Sequence, residues 1–237
     1  MTDISQQTLA SIVTAHRQVV PVLEKYSLDF CCKGKRTLAD ACADKGLNLQ
    51  EVASELESTF TISAGKKMPF GDMTAEQLIN YILINHHFYV RQSMPNIHLH
   101  LEKVALKHGD KFPYMKQVAK LFSEIQSEMT AHMEKEETIL FPRIKEAERI
   151  FKSGDNASFT AGYLEKPIAV MESEHDLAGE TLFEIRSLTN NYTPPVEACT
   201  TFIVSLAELK AFEEDLHKHV HLENNILFPK AKTFILR

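Results

Sequence analysis

The stretch His132-Met-Glu-Lys-Glu-Glu-Thr-Ile-Leu-Phe-Pro142 has a second version later in the chain, His219-Val-His-Leu-Glu-Asn-Asn-Ile-Leu-Phe-Pro229. When the two are aligned on Ile-Leu-Phe-Pro, His132 matches His219 and Glu136 matches Glu223. Residues four positions apart on a helix lie on one face, one turn apart. Each copy therefore offers an imidazole nitrogen and a carboxylate oxygen in the same direction. We predict that the copies lie on two helices of one bundle and bind metal.

A further histidine precedes each copy at a nearly equal distance. His87 lies 45 residues before His132, and His175 lies 44 residues before His219, as expected for a duplicated helix pair. Three candidate ligands come from each half of the bundle, and the set is His87, His132, Glu136, His175, His219 and Glu223. Imidazole and carboxylate together suit iron or manganese better than a structural zinc. Six ligands for two ions leave room for a bridging oxygen and an open position, and each glutamate could bridge both ions.

The register of the histidines stays open at two places. His86 and His87 are adjacent and point about 100° apart on a helix, so only one faces the bundle axis. We favour His87 because it keeps the repeat offset. His217 and His221 also form a one-turn pair that could hold zinc in place of His219. A histidine with a glutamate four residues later is commonly a solvent-exposed helix pair, and the repeat is what favours metal ligands here.

Helical periodicity along the chain predicts an all-α protein. Residues 1–62 form several short helices, which we take as a small N-terminal helical domain. Residues 63–71 break every period and contain glycine and proline, so they are the predicted linker. Residues 72–237 form an up-down four-helix bundle. Its predicted helices run from Asp72 or Thr74 towards Lys107 with a kink at Pro95, from near Phe112 to about Phe151, from Gly162 to Asn190, and from Val196 to about Phe234.

Composition and charge argue against several classes of protein. A hydrophobic content of 44% and a charged content of 24% are ordinary for a globular protein. The sequence has no run of about 18 apolar residues, so no membrane span is predicted. The N-terminus lacks a signal-peptide pattern, so a cytoplasmic location is expected. A net charge of −6 without a basic stripe argues against a nucleic-acid partner.

The segment Leu28-Asp-Phe-Cys-Cys-Lys-Gly-Lys-Arg-Thr37 is the second chemical feature. Its adjacent cysteines, Cys31 and Cys32, precede a predicted helix start and lie close to three basic residues. A helix N-terminus and nearby cations both lower a thiol pKa, so we expect a lowered pKa for at least one cysteine. Our hypothesis is a redox or iron-transfer pair, and the alternative is that both are small buried apolar residues. Cys42 and Cys199 are expected to be structural.

At these residues the chain resembles the Repair of Iron Centres family, the ScdA/YtfE type of di-iron protein. The cysteine segment resembles the family's small N-terminal domain. The segment Met171-Glu-Ser-Glu-His-Asp-Leu-Ala-Gly179 and the two His-x-x-x-Glu pairs resemble its hemerythrin-like domain. The resemblance implies that the six candidate ligands bind two non-haem irons. It also implies that Cys31 and Cys32 belong to the functional N-terminal motif.

Hemerythrin-type oxygen carriers typically have a fifth histidine, one turn after the ligand of the third helix. Gly179 occupies that position here, which leaves the site more open and argues against oxygen storage. Glu128 and Glu174 lie near ligand histidines and are candidates for carboxylates that support the ligands or line an access path. A surface role is the alternative for both.

The resemblance implies a stress protein that repairs iron–sulfur clusters after oxidative or nitrosative damage, by supplying iron. Its expected partners are damaged iron–sulfur proteins or cluster scaffolds. Two other functions stay open, namely an enzyme acting on nitric oxide at the di-iron centre and a sensor of nitric oxide or oxygen. We also expect a homodimer, because so small a cysteine domain needs a second surface to pack on.

Overall fold

The computed structural model describes residues 3–60, 70–154 and 159–235. Within these ranges the regular structure is helical, apart from one isolated bridge between Thr8 and Thr37. The predicted all-α fold is confirmed. Most of the predicted linker, residues 63–69, lies outside the described residues. None of the helices in the described ranges is long and apolar enough to span a bilayer.

Several short helices form the N-terminal part, as predicted. They are two 3₁₀ turns (Ile4–Gln6 and Arg17–Val19) and four α-helices, α1 (Leu9–Ala15), α2 (Val20–Lys25), α3 (Leu38–Asp44) and α4 (Leu49–Phe60). The Thr37 side chain accepts a hydrogen bond from the Asp40 amide and caps α3. Gly46 has a φ of 63° between α3 and α4, a conformation that favours glycine.

Four long helices form the bundle, and their existence and order match the prediction. The first consists of α5 (Ala75–Ile82), a π-helical turn (Leu83–His87) and α6 (Phe88–His108). The second consists of α7 (Tyr114–Lys135), a π-helical turn (Glu136–Leu140) and α8 (Phe141–Ser153). The third is α9 (Glu165–Leu188), and the fourth consists of α10 (Thr200–Leu222), a π-helical turn (Glu223–Leu227) and α11 (Phe228–Thr233). Thr74 and Gln77 form a capping box at the start of α5, which agrees with the predicted helix start at Thr74.

The π-helical turns are a feature that the sequence analysis did not predict. Each one ends or begins at a candidate ligand, namely His87, Glu136 or Glu223. Two of them come directly before the Phe-Pro end of the repeat. Proline cannot donate to the carbonyl four residues earlier and its ring crowds that carbonyl, so the preceding turn widens. Such wider turns redirect the side chains that follow them and are frequent at functional sites.

The apolar core forms two clusters that lie on either side of the candidate ligands along the bundle. One cluster contains residues of α1 to α4 together with Val90, Met133 and Leu216 of the bundle. The other contains residues such as Ile79, Ile144 and Phe228 from the opposite end. The N-terminal helices therefore share a continuous core with one end of the bundle.

Candidate metal centre

A band of buried polar side chains separates the two apolar clusters. All six side chains predicted from the repeat lie in it, and none is more than 1% exposed. They are His87, His132, Glu136, His175, His219 and Glu223. A buried carboxylate is costly unless it is paired or coordinates a metal, so this burial itself needs an explanation.

The donor atoms of these side chains form two groups that share both glutamates. His87 and His219 meet Glu136 and Glu223 in one group, while His132 and His175 meet the same glutamates in the other. Within each group the ligand atoms all lie within 4.8 Å of one another. Each group takes one histidine from each half of the repeat, so neither half can form a group alone.

Distances within the groups fit ligands around a common ion. The Nε2 atoms of His132 and His175 are 3.0 Å apart. His87 Nε2 lies 3.3 Å from Glu136 Oε2, and His219 Nε2 lies 3.1 Å from Glu223 Oε1. Two ligand atoms bound at right angles with bonds of about 2.1 Å are roughly 3.0 Å apart. The spacing is therefore that of neighbouring ligands in a coordination sphere.

Several buried atoms in this band have no hydrogen-bond partner within the described parts of the chain. These atoms are His87 Nε2, both carboxylate oxygens of Glu136 and of Glu223, and both ring nitrogens of His219. An unsatisfied buried polar group costs about 1–3 kcal/mol. Cations between the two histidine pairs would satisfy most of these atoms at once, so the residues present fit a metal centre.

Three of the histidines are oriented by acceptors outside the groups. The Nδ1 atom of His87 lies 2.6 Å from Glu137 Oε1, and that of His132 lies 2.9 Å from Glu174 Oε2. The Nδ1 atom of His175 lies 2.9 Å from Asn224 Oδ1. When Nδ1–H donates to such an acceptor, the lone pair of Nε2 is directed at the centre.

Of the two carboxylates singled out from the sequence, Glu174 contacts a ligand histidine and Glu128 is exposed. Glu137 and Asn224 were not predicted from the sequence. Both directly follow the candidate glutamate in their copy of the repeat, and each contacts the histidine of the preceding bundle helix. Extending the repeat alignment by one position would have found them.

Burial sets the protonation of the centre. It lowers the pKa values of His87 and His132 to about 4, with a further contribution from a neighbouring histidine, so both are neutral at physiological pH. Burial, together with the nearby Glu223, raises the pKa of Glu136 well above its ordinary value. Burial also opposes ionisation of Glu223, but His219 and His175 hold its pKa well below the ordinary value. The pKa values of the two glutamates are thus shifted in opposite directions.

The alternative histidines lie beside the groups rather than in them. His86 is buried like its neighbour, which is more than the sequence predicted, and its Nδ1 lies 3.0 Å from Asp215 Oδ1. His217 and His221 face the N-terminal helices. His217 Nδ1 is 3.6 Å from a carboxylate oxygen of Glu24, and His221 contacts Thr14.

Cys31 and Cys32 lie in the loop between α2 and α3, beside the bundle. The Cys32 thiol and burial raise the pKa of Cys31 well above its ordinary value. The expectation of a lowered pKa is therefore wrong for Cys31, because desolvation and a neighbouring thiol outweigh the cations nearby in sequence. A Cβ atom at Gly179 would lie 3.9 Å from Cys32 Sγ, so Cys32 covers the position of an oxygen carrier's fifth histidine.

The two remaining cysteines have different surroundings. Cys42 is buried in α3, which agrees with the expected structural role. Cys199 is exposed at the start of α10, and its Sγ lies 3.2 Å from His108 Nε2. Neither cysteine approaches the candidate metal centre or the Cys31–Cys32 pair closely enough to join a group of candidate ligands.

Comparison with known proteins gives matches to both parts of the chain. The family model for the hemerythrin HHE cation-binding domain matches residues 78–231, and a second model, described as a domain of unknown function (DUF542), matches residues 5–59. The chain is 38% identical to the "Iron-sulfur cluster repair protein YtfE" of Cronobacter sakazakii (strain ATCC BAA-894), covering 95% of this chain and 96% of that one. The proteins of the same name from Citrobacter koseri and from Escherichia coli O17:K52:H18 are 37% and 36% identical, with the same coverage.

Proposed function

The chain belongs to the hemerythrin HHE cation-binding family, in the branch of the YtfE-type iron–sulfur cluster repair proteins, and we propose that it repairs iron–sulfur clusters damaged by oxidative or nitrosative stress by supplying iron. The observation that supports this most is the pair of buried histidine groups sharing two glutamates. The proposed partners are damaged iron–sulfur proteins or cluster scaffolds. We further propose a cytoplasmic homodimer.

The proposed cofactor is a pair of non-haem iron ions with a bridging oxygen. One ion would be held by His87 and His219 and the other by His132 and His175. Glu136 and Glu223 would lie between the ions, because each belongs to both groups. Bound iron supplies exchangeable metal for a recipient, and open coordination positions allow that exchange. The mixed nitrogen and oxygen ligands favour iron over a structural zinc.

One position beside the groups distinguishes the proposed centre from that of an oxygen carrier. Gly179 contributes no ligand at the position of the fifth histidine, and the side chain that covers it is a cysteine. Glu137, Glu174 and Asn224 hold three ligand rings in position without binding the metal themselves. We propose that residues 72–237 hold the iron, and that the N-terminal residues 1–62 pass it on through Cys31 and Cys32.

Metal analysis and a repair assay test this proposal together. Anaerobically loaded wild-type protein should carry about two irons per chain, with the Mössbauer spectrum of a coupled pair. It should restore the activity of a hydratase whose cluster nitric oxide has damaged. The double variant Glu136→Gln/Glu223→Gln should lose both the iron and the repair.

Glu128→Gln is the matched control, because Glu128 is an exposed glutamate one turn before His132 on the same helix. It should keep both properties. Repair that proceeds equally well with the iron-free double variant would rule out iron supply from this centre.

The pairing of the two groups also favours a second candidate, an enzyme that acts on nitric oxide. Two adjacent metal groups with shared glutamates could each bind one molecule. Anaerobic single-turnover experiments that follow nitrous oxide distinguish the two functions. Stoichiometric nitrous oxide without any restored hydratase activity would favour the enzyme, whereas restored activity without nitrous oxide would favour iron supply.

A further inference from the structure

A third group of potential metal ligands lies outside the bundle centre. Asp29 Oδ1 is 3.2 Å from Cys31 Sγ, and Cys31 Sγ is 3.8 Å from Cys32 Sγ. One ligand atom from each of the three residues lies within 4.8 Å of the other two. This combination of one carboxylate and two thiols differs in chemistry from the histidine-rich centre.

The two sulfur atoms are too far apart for a disulfide bond, and their separation would suit a metal ion between them. A disulfide requires a distance of about 2.05 Å, far shorter than the one observed. Two sulfur atoms bound tetrahedrally at about 2.3 Å from one ion lie roughly 3.8 Å apart. Cys31 Sγ and Cys32 Sγ, now 3.8 Å apart in a thiol hydrogen bond, therefore already have a spacing that one thiolate-bound ion could occupy.

Backbone contacts hold these thiols in place before any ion binds. Asp29 Oδ1 accepts hydrogen bonds from the amides of Cys31 and Cys32, at 3.1 and 2.9 Å. Asn225 Nδ2 of the bundle donates to the Cys31 carbonyl oxygen at 3.0 Å. A segment fixed from both sides loses little conformational entropy when it binds a ligand, so the site is preorganised.

The group opens onto a cavity of about 510 Å³ between the N-terminal helices and the bundle. The side chains lining this cavity include six carboxylates and four lysines or arginines, so the charge balance attracts cations. Cys32 is partly exposed. Three protein ligands leave one tetrahedral position open to the cavity, an arrangement typical of sites that exchange their fourth ligand.

We propose that Asp29, Cys31 and Cys32 form a third cation site of the chain, which binds one thiophilic divalent cation and presents it to the cavity. Binding deprotonates both thiols and releases the two protons to solvent, with no change of oxidation state. Within the proposed function, this site is where Fe²⁺ would leave the chain. That assignment rests on the iron-supply proposal, whereas the existence of the site does not.

The number of protein ligands indicates a site of exchangeable occupancy. A closed structural site surrounds its ion with four protein ligands, whereas this group offers three.

Titration of the full-length, iron-loaded protein with Cd²⁺ under anaerobic conditions tests the proposal. About one Cd²⁺ per chain should bind, with the ultraviolet charge-transfer absorption of cadmium thiolate and without displacing iron. Cys31→Ser and Cys32→Ser should each lower the affinity at least tenfold and reduce this absorption. Asp29→Asn keeps an oxygen acceptor for the two amides but loses the charge, so it should weaken binding about tenfold with the absorption retained.

Cys199→Ser is the matched control, because it removes the exposed cysteine outside the group and should change nothing. If Cys31→Ser lowers the iron content through misfolding, the Cys32→Ser variant, whose thiol is partly exposed, decides the question. The proposed site would be ruled out if the protein bound no additional Cd²⁺. It would also be ruled out if Cys32→Ser bound Cd²⁺ as well as the wild type does. The iron content and repair of Glu136→Gln/Glu223→Gln test the bundle centre separately, so failure of this site would remove only the proposed exit of iron through Cys31 and Cys32.

Discussion

At the scale of single residues, Gly179 connects the bundle to the cysteine segment. It lies in the interior of α9, where glycine costs about 1 kcal/mol relative to alanine. A Cβ atom added at Gly179 would lie 3.9 Å from Cys32 Sγ, which is an ordinary van der Waals distance. A methyl group therefore fits, but a larger side chain meets the cysteine.

A small and a large side chain at this position should therefore have different consequences, the first for stability and the second for the packing of the cysteine segment. Gly179→Ala should raise the free energy of unfolding by about 0.5–1 kcal/mol, because it reduces the entropy of the unfolded chain. Gly179→His should displace the cysteine segment and speed the reaction of its thiols with a disulfide reagent. Urea unfolding and thiol kinetics measure the two effects. An unchanged thiol rate in Gly179→His would show that Cys32 does not pack on α9.

At the scale of elements, the π-helical turns in the two copies of the repeat, Glu136–Leu140 and Glu223–Leu227, make similar contacts at their second residue and different contacts at their third. Glu137 and Asn224 each hold a ligand histidine of the preceding bundle helix. One residue later, Thr138 donates to the carbonyl of Glu134 in its own helix, whereas Asn225 donates to the Cys31 carbonyl. The second turn thus joins the candidate metal centre to the cysteine segment.

Asn225→Ala should therefore loosen the cysteine segment while the metal centre keeps its ligands. We expect the thiols of Cys31 and Cys32 to react several-fold faster, with iron content unchanged, because the part-buried hydrogen bond to the Cys31 carbonyl contributes about 1 kcal/mol. Thr138→Ala occupies the equivalent position in the first copy and should leave the thiol rate unchanged. Equal thiol rates in both variants and the wild type would contradict this assignment.

A second prediction at this scale concerns the start of α5. Glu148 of α8 accepts hydrogen bonds from the amides of Ala75 and Glu76, at 3.1 and 3.0 Å. A carboxylate at a helix N-terminus is stabilised by these amides and by the helix dipole. Burial opposes its ionisation, but these amides and Lys152 hold the pKa of Glu148 below its ordinary value of 4.5.

Glu148→Gln should lower the free energy of unfolding by about 1–2 kcal/mol at neutral pH. The folded-state pKa is depressed, so the stabilisation is present above pH 4.5 and is lost as the pH falls through the lower folded value. Unfolding curves at several pH values should show the wild type and Glu148→Gln converging in acid. Glu146 of the same helix is partly exposed and ion-paired with Arg149, and Glu146→Gln is the control, with an expected effect below about 0.5 kcal/mol.

At the scale of the whole molecule, the polar band separates two apolar clusters and so affects the stability of both. Removing the metal should leave Glu223 charged and several polar atoms unsatisfied between them. A ligand at a thousand times its dissociation constant stabilises by about 4 kcal/mol. For a chain of this size, that corresponds to a fall in Tm of roughly 10 °C on chelation.

Differential scanning calorimetry with and without chelator measures this fall. The double variant Glu136→Gln/Glu223→Gln is the control, since its Tm should not respond to chelation. An equal response in the variant and the wild type would show that the stabilising metal binds elsewhere.

Features that depend on local geometry could be predicted from the sequence alone. The helical period and the four-residue spacing of His132 and Glu136 are properties of one helix, and they can be derived without knowing what packs against it. The duplication then related these residues to His219 and Glu223. For that reason the all-α fold and the six side chains that meet in the polar band could be predicted together.

Only the tertiary structure decided how these side chains pair. The joining of His87 with His219, the sharing of both glutamates and the burial of His86 depend on the relative rotation of helices that are distant in sequence. The high pKa of Cys31 likewise follows from desolvation by surrounding elements, which outweighs the nearby basic residues that the sequence shows. Packing between elements sets these distances and this dielectric environment, so no local pattern contains them.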